Sequence, residues 1–366
     1  MKNIHCYITS LGGGGAERQM VYLCNFLNEK GFDVTLVTFL DKEDKYYLPP
    51  SIKRICFKYR TDANIFIKLF IRLKLFFYFI TIKSDCVISF LTGANVQVLK
   101  SLRFRKKVKV IVSERNIVNG ELTKTERKAF LGLYKYANYI VPNSITMTSY
   151  LRSLKTDYTN RLVTITNFTD TSLYMAPKIP LREILVIGIF ARYHNQKNCM
   201  RFAKMLSMID YEQHRPFVVK WYGDKQEISC QQYYKELEDY ILEKHIEKIF
   251  ELHDFATDIP NLMADMDMIC LPSIFEGFSN SLAEAICCGK PVIAGDVSDN
   301  SVMVKDGING FLFDPFNIDN MKMVFERALE TSNENLIKMS QESRKIAEDL
   351  FSKEKFVGSY IQLINA

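Results

Sequence analysis

The chain has no C-x-x-C spacing: its nine cysteines are scattered singly, apart from the adjacent pair Cys287 and Cys288. That distribution excludes a disulfide framework and a cysteine zinc site, and fits a reducing compartment. The histidines His5, His194, His214, His245 and His253 are dispersed and lack metal-ligand spacing. There is no internal repeat and no low-complexity tract. The opening stretch "MKNIHCYITSLGGGG" has no basic segment followed by a long apolar run and a small-residue cleavage site, so no secretory signal is expected and a cytoplasmic location follows. Uninterrupted membrane-length hydrophobic runs are missing too. The most apolar segment, "ANIFIKLFIRLKLFFYFITIK" (63–83), is broken by Lys68, Arg72 and Lys74, which a spanning helix would rarely carry in its middle.

What is present is ordinary globular composition. The chain has 366 residues, 48% hydrophobic and 25% charged, enough for two domains with two cores. The net charge of +6 hides an asymmetry. Residues 1–180 hold 28 Lys/Arg against 13 Asp/Glu, and residues 181–366 hold 20 against 29. The first half therefore faces something anionic. Nucleic acid is set aside because no recognised binding motif accompanies the charge. An anionic membrane surface is the preferred partner. Segment 63–83 fits an in-plane helix with snorkelling cations, and "RFRKKVK" (103–109) adds attraction to acidic lipid. The alternative for 63–83 is a helix of the first lobe's core.

Segments 3–9, 33–39, 85–91, 108–113 and 138–143 read as buried Val/Ile-rich strands, with helical patterns such as "AERQMVYLCNFLNEKG" (16–31) between several of them. After the polar, proline-containing stretch 166–180, suited to a linker, the pattern restarts with strands at 184–190, 217–223, 248–253, 267–273 and 291–296. The fold class is α/β: two Rossmann-like doubly wound lobes facing each other across a cleft, with ligands at the carboxyl ends of the strands. The boundaries read as a first domain over 1–170, a second over 171–350, and a C-terminal helix over 351–366 packing back towards the first domain.

Chemistry gathers at those strand ends. "SLGGGGAERQM" (10–20) puts four glycines between the first strand and the first helix, where backbone can approach an anion closely. It is not the G-x-G-x-x-G fingerprint, and a flexible turn explains it about equally well. Arg192 and Lys197 in "IFARYHNQKN" follow the first strand of the second lobe and suit a diphosphate; alone they would read as solvated loop charges. "SIFEGFSNSLAEA" (273–285) then supplies Glu276 and Glu284. Ser281 and Glu284 also fit an S-x-x-E capping box, which leaves Glu276 without a structural explanation. A glycine loop, two cations and two carboxylates at strand ends describe a site for a molecule with a diphosphate and many hydroxyls, such as a nucleotide sugar. "DMDM" (265–268) holds a D-x-D metal motif, but at a helix-to-strand junction, where a solvated boundary is the better reading. No metal or other cofactor is expected.

With "GGGGAER", "VSERN" (112–116), "TNFTD" (166–170), "ARYHNQKN", the E-x7-E spacing of "EGFSNSLAEA" and "VKDGINGFLFDP" (304–315) in this order, the chain resembles family 4 of the glycosyltransferases, retaining enzymes of the GT-B fold. It is similar to bacterial members that build lipid-linked oligosaccharides or surface polysaccharides. The resemblance implies that Arg192 and Lys197 bind the donor diphosphate and that Glu276 contacts the transferred sugar. It implies donor contacts from Gly13, Gly14, Gly15, Phe255, Gly277, Phe278, Ser279, Asn280, Ser281 and Leu282, with Glu284 on the ribose. Glu17, Glu114 and Arg115 would belong to the first-lobe or acceptor site, although many relatives carry histidine where this chain has Arg115. The implied reaction moves a sugar, by preference from UDP-hexose or UDP-N-acetylhexosamine, to a polyprenyl-diphosphate-linked or other glycan acceptor at the inner face of the cell membrane. The competing readings are a nucleotide-sugar epimerase on the same fold and a catalytically dead binding subunit.

Overall fold

Runs of Val, Ile and Cys too apolar to face water on either side form two parallel sheets, each sandwiched between helices. The computed structural model describes residues 1–118, 120–174, 179, 182–225 and 228–366. It divides into two compact units, Met1–Phe168 with Lys353–Ala366, and Thr169–Ser352.

The first unit contains β1 (Asn3–Ile8), β2 (Asp33–Leu40), β3 (Lys53–Tyr59), β4 (Cys86–Phe90), β5 (Lys109–Glu114) and β6 (Tyr139–Pro142), ordered β3-β2-β1-β4-β5-β6. Alternate residues feed opposite faces: Ile4, Cys6 and Ile8 of β1 enter one core, whereas Tyr7 enters the other. Three helices matter below: α1 (Gly15–Glu29), α2 (Ile65–Thr81) and α3 (Thr92–Leu102).

The second unit contains β7 (Leu185–Phe190), β8 (Phe217–Tyr222), β9 (Phe250–His253), β10 (Met268–Leu271), β11 (Val292–Gly295) and β12 (Gly310–Phe313), ordered β12-β11-β10-β7-β8-β9. Counted from its own first strand, the second sheet repeats the order of the first. Each sheet therefore has one switch point, between β1 and β4 and between β7 and β10, where successive crossovers leave in opposite directions. Ligands of doubly wound sheets bind outside the carboxyl ends at that point.

Sequence reading finds ten of these strands and misses β3 and β12. Both are edge strands. In β3, "KRICFKY" mixes charges among its apolar residues because one side of the strand has no neighbour, and its middle is only half-buried. β12 is four residues long and follows a turn, so no apolar run announces it. The linker reading of 166–180 falls partly outside the described residues, at 175–178 and 180.

The helix Lys353–Asn365 lies in the first unit, burying Phe356, Val357, Tyr360, Leu363 and Ile364 beside Phe26 and Phe168. Its last carbonyls, which lack intrahelical partners, accept from side-chain ammonium groups. Lys109 Nζ donates to Leu363 O (3.1 Å) and Ile364 O (3.0 Å), and Lys2 Nζ donates to Ile364 O (3.3 Å).

Candidate functional site

At the β7/β10 switch point two loops are stitched together by one backbone and one side-chain hydrogen bond. Ile274 N donates to Gln196 O (2.9 Å), and Gln196 Nε2 donates to Phe275 O (3.0 Å). This brings side chains 79 positions apart into contact: Lys197 Nζ lies 2.6 Å from Glu276 Oε1. Both are largely sheltered, with side-chain exposures of 16% and 8%, so the pair interacts through a medium less polar than water. An ammonium has three N–H donors. Only one is needed for Glu276, and the others can serve an anionic ligand.

The local sequence explains the placement. His194 Nδ1 accepts from Gln196 N (3.2 Å) and caps the short turn Asn195–Lys197. His194 is thus a turn-capping residue. Asn198 then adopts a left-handed conformation (φ 64°), which asparagine tolerates better than most residues, and the helix Cys199–Leu206 begins. The Asn198 side chain is buried and donates to Pro315 O (3.0 Å), so the turn cannot swing away. Arg192 stands just beyond β7, exposed, at the same sheet edge.

On the β10 side, Glu276 N donates to Ser298 Oγ (3.2 Å), and the Ser298 hydroxyl donates back to Glu276 O. Ser298 has φ 52°, an unfavourable region for serine that persists only where surroundings enforce it. Ser279 Oγ donates to Asn300 Oδ1 (2.5 Å), and Asn300 Nδ2 donates to Gly295 O (2.9 Å). Ser298 and Asn300 were missed from sequence. The signal was the polar cluster "DVSDNS" directly after the fifth strand of this lobe.

The capping-box expectation is wrong. The helix Asn280–Cys287 has Ser279 as its N-cap without a side-chain cap bond, and Ser281 lies inside the first turn. Ser279 spends its hydroxyl on Asn300 instead. Glu284 is 8% exposed and within the same helix, one turn from its start. Gly277 to Leu282 run from the Glu276 loop into this helix, with Phe278, Ser279 and Leu282 buried. Phe255 follows β9, two strands from the switch point, and is 63% exposed.

Two family models divide the chain between them: Glycosyltransferase Family 4 over residues 13–173 and Glycosyl transferases group 1 over 178–346. The chain belongs to the family 4 glycosyltransferases. Among curated relatives, the Escherichia coli UDP-Gal:alpha-D-GlcNAc-diphosphoundecaprenol alpha-1,3-galactosyltransferase is 29% identical over 141 residues, 38% of this chain and 35% of that protein. The chain thus matches about a third of the length of that relative. A Campylobacter jejuni N-acetylgalactosamine-N,N'-diacetylbacillosaminyl-diphospho-undecaprenol 4-alpha-N-acetylgalactosaminyltransferase is 24% identical over 315 residues, 81% of each chain. The crystal structure of Anabaena Alr3699/HepE in complex with UDP and glucose superposes with a TM-score of 0.82 over 100% of both chains at 20% identity. That likeness assigns the GT-B fold.

In the first unit the loop after β1 depends on Gly13. Gly13 has φ 108°, and the stem of Lys45 packs where a side chain would stand. The Glu17 carboxylate, in the first turn of α1, fills the space a side chain on Gly14 would need. Gly15 opens α1.

Glu114 and Arg115, expected at an acceptor or first-lobe site, are buried. Glu114 is 1% exposed and accepts from Thr92 Oγ1 (2.7 Å) and Asn95 Nδ2 (2.9 Å). Burial raises its pKa to about 8, although these hydrogen bonds act in the opposite direction. Arg115 donates to Asn167 Oδ1 (2.6 Å) and Tyr360 Oη (2.7 Å), with its guanidinium 4.0 Å from the centre of the Phe90 ring. It ties the C-terminal helix to β5.

Of the aspartates of "DMDM", Asp265 is exposed as expected and Asp267 is not. Asp265 pairs with Arg182. Asp267 is 1% exposed, not solvated, and its Oδ2 accepts from Val186 N (2.8 Å) at the start of β7. Among the described residues no group of three or more His, Cys, Asp and Glu could hold a metal ion.

Proposed function

We propose that this glycosyltransferase transfers a hexose or N-acetylhexosamine from a UDP-sugar, with retention of configuration, to a polyprenyl-diphosphate-linked or other glycan acceptor. The setting is glycan or surface-polysaccharide biosynthesis at the cytoplasmic face of a membrane. The observation that carries this is the sheltered Lys197–Glu276 pair at the β7/β10 switch point. The printed names of the E. coli and C. jejuni relatives, with their alpha linkages and diphosphoundecaprenol acceptors, support the choice of reaction and acceptor.

In this reading Arg192 and Lys197 meet the donor diphosphate. Glu276 holds the Lys197 ammonium in place and accepts hydrogen bonds from sugar hydroxyls. Glu284 takes the ribose hydroxyls. As the glycosidic bond to the diphosphate breaks, negative charge grows on the leaving oxygen beside two fixed cations. Such preorganised stabilisation is usually the largest catalytic term. The acceptor hydroxyl attacks the face the diphosphate leaves and passes its proton to a phosphate oxygen, so no side-chain nucleophile is required. The cations perform the neutralisation that a divalent metal would otherwise supply, and we expect no metal requirement.

Incubation with radiolabelled UDP-sugars and a polyprenyl-diphosphate-linked glycan tests the reading. Label appearing in the lipid fraction supports it. Isomerised UDP-sugar without transfer would mean an epimerase, and binding without turnover a dead subunit. Thermal shifts with UDP-, GDP- and ADP-sugars identify the nucleotide, because a ligand that binds the folded state raises its stability.

A further inference from the structure

Helix α2 is apolar on two opposite faces, and only one of them is used by the fold. At about 100° per residue, Leu75 and Phe79 point inward and are buried. Phe66, Leu69, Phe70, Leu73 and Phe77 point the other way and are exposed, Phe66 by 80% and Phe70 by 67%. This outward strip runs for about 17 Å along the helix. The cations of α2 are not on it. Arg72 turns to the flank, donating to Tyr59 Oη (3.0 Å) with its guanidinium over that ring, and Lys74 lies at the opposite margin.

Both ends of the strip are basic. Arg105 donates to Ile80 O (2.7 Å) and Ile82 O (2.8 Å), which fixes the 103–107 run against the C-terminal end of α2. Phe104 there is 78% exposed, beneath the Arg103 guanidinium. At the other end Lys58 and Arg60 line a depression of about 320 Å³ with Asp62, Ala63 and Ile67. Residues 58–109 hold twelve Lys/Arg against two Asp. Among the described residues no helix is long and apolar enough to cross a membrane.

We propose that α2 is an interfacial helix: its outward Phe/Leu strip and Phe104 enter one leaflet of an anionic bilayer, while Lys58, Arg103, Lys106 and Lys107 hold acidic headgroups at its two ends. A second copy of the chain would bring like-charged flanks together, whereas acidic lipid complements them. The proposal refines the membrane part of the function above and rests on it. Its test contains no sugar nucleotide, so the result is independent of whether the second unit transfers sugar.

The full chain is sedimented with vesicles of phosphatidylglycerol and phosphatidylcholine, or of phosphatidylcholine alone. The mixed vesicles bind it, salt weakens that binding, and neutral vesicles bind roughly ten-fold less. Phe66→Ser/Phe70→Ser/Phe77→Ser and Lys106→Glu/Lys107→Glu each reduce binding by about ten-fold or more, with the thermal transition unchanged because these side chains face outward. In Phe70→Trp, the fluorescence added to that of the buried Trp221 is quenched by lipids brominated just below the glycerol. Wild-type binding unaffected by the serine triple, no recovery on acidic vesicles, or a dimer dissociated by the serine triple would each overturn the proposal.

Discussion

The two units share one strand order and differ in what they place at its carboxyl ends. In the second unit the switch point joins a sheltered cation and carboxylate, Lys197 and Glu276, 2.6 Å apart. In the first unit the glycine loop follows β1, Leu91 after β4 sits at φ 79°, and the acid and base that end β5 are buried among neutral partners. The same topology thus carries a sheltered ion pair at the strand ends of one half and an acid and a base held by neutral partners in the other. Position in a doubly wound sheet says where a ligand can bind; the side chains decide whether that edge binds or merely holds the unit together.

The sharpest way to break this contrast is to remove the pair in the second unit. Lys197→Ala lowers kcat by about a hundred- to a thousand-fold, the effect of deleting one preorganised donor at a developing charge. Glu276→Ala abolishes transfer, while UDP affinity by calorimetry stays within about three-fold of wild type. Near-normal turnover in a folded Glu276→Ala protein would put the site elsewhere.

The corresponding cut in the first unit acts on stability. Arg115→Met removes the guanidinium donors to Asn167 Oδ1 and Tyr360 Oη and loses the contact with Phe90. Urea unfolding of the first unit shows a loss of about 3 kcal/mol, and the folded fraction loses far less turnover than Lys197→Ala does. A large kcat defect with unchanged stability would return Arg115 to the chemistry.

A smaller effect separates Glu114 from the surface carboxylates. Its folded pKa is raised from 4.5 to about 8, so the folded protein retains a proton that the unfolded chain has released between those values. Its contribution to stability is therefore full below pH 4.5 and is lost as pH rises through about 8. Glu114→Gln, which is neutral throughout, flattens that part of the stability profile. An unchanged slope would show that Glu114 ionises normally.

The smallest effect is expected from chelation. EDTA leaves turnover unchanged if Arg192 and Lys197 neutralise the diphosphate. A collapse restored by magnesium would assign that task to a metal.

Much of the architecture was legible because parallel strands buried on both faces must be continuously apolar. Ten such runs mark ten strands; of the four edge strands β6 and β9 were found, whereas β3 escaped because charges interrupt it and β12 because it is short and follows a turn. Lys197 and Glu276 were legible as residue types after strand ends, and so was the need for glycine before α1. Three things were decided only in three dimensions. Whether Ser281 or Ser279 begins a helix depends on where Asn300 waits to accept a hydroxyl, 21 positions away. The fate of "SERN" depends on Tyr360, 245 positions beyond Arg115. And segment 63–83 shows apolar residues on every side, so its sequence could not tell a core helix from a membrane helix. The sheet covers one face and leaves the other open, because a helix can present only one side to the surface it packs on.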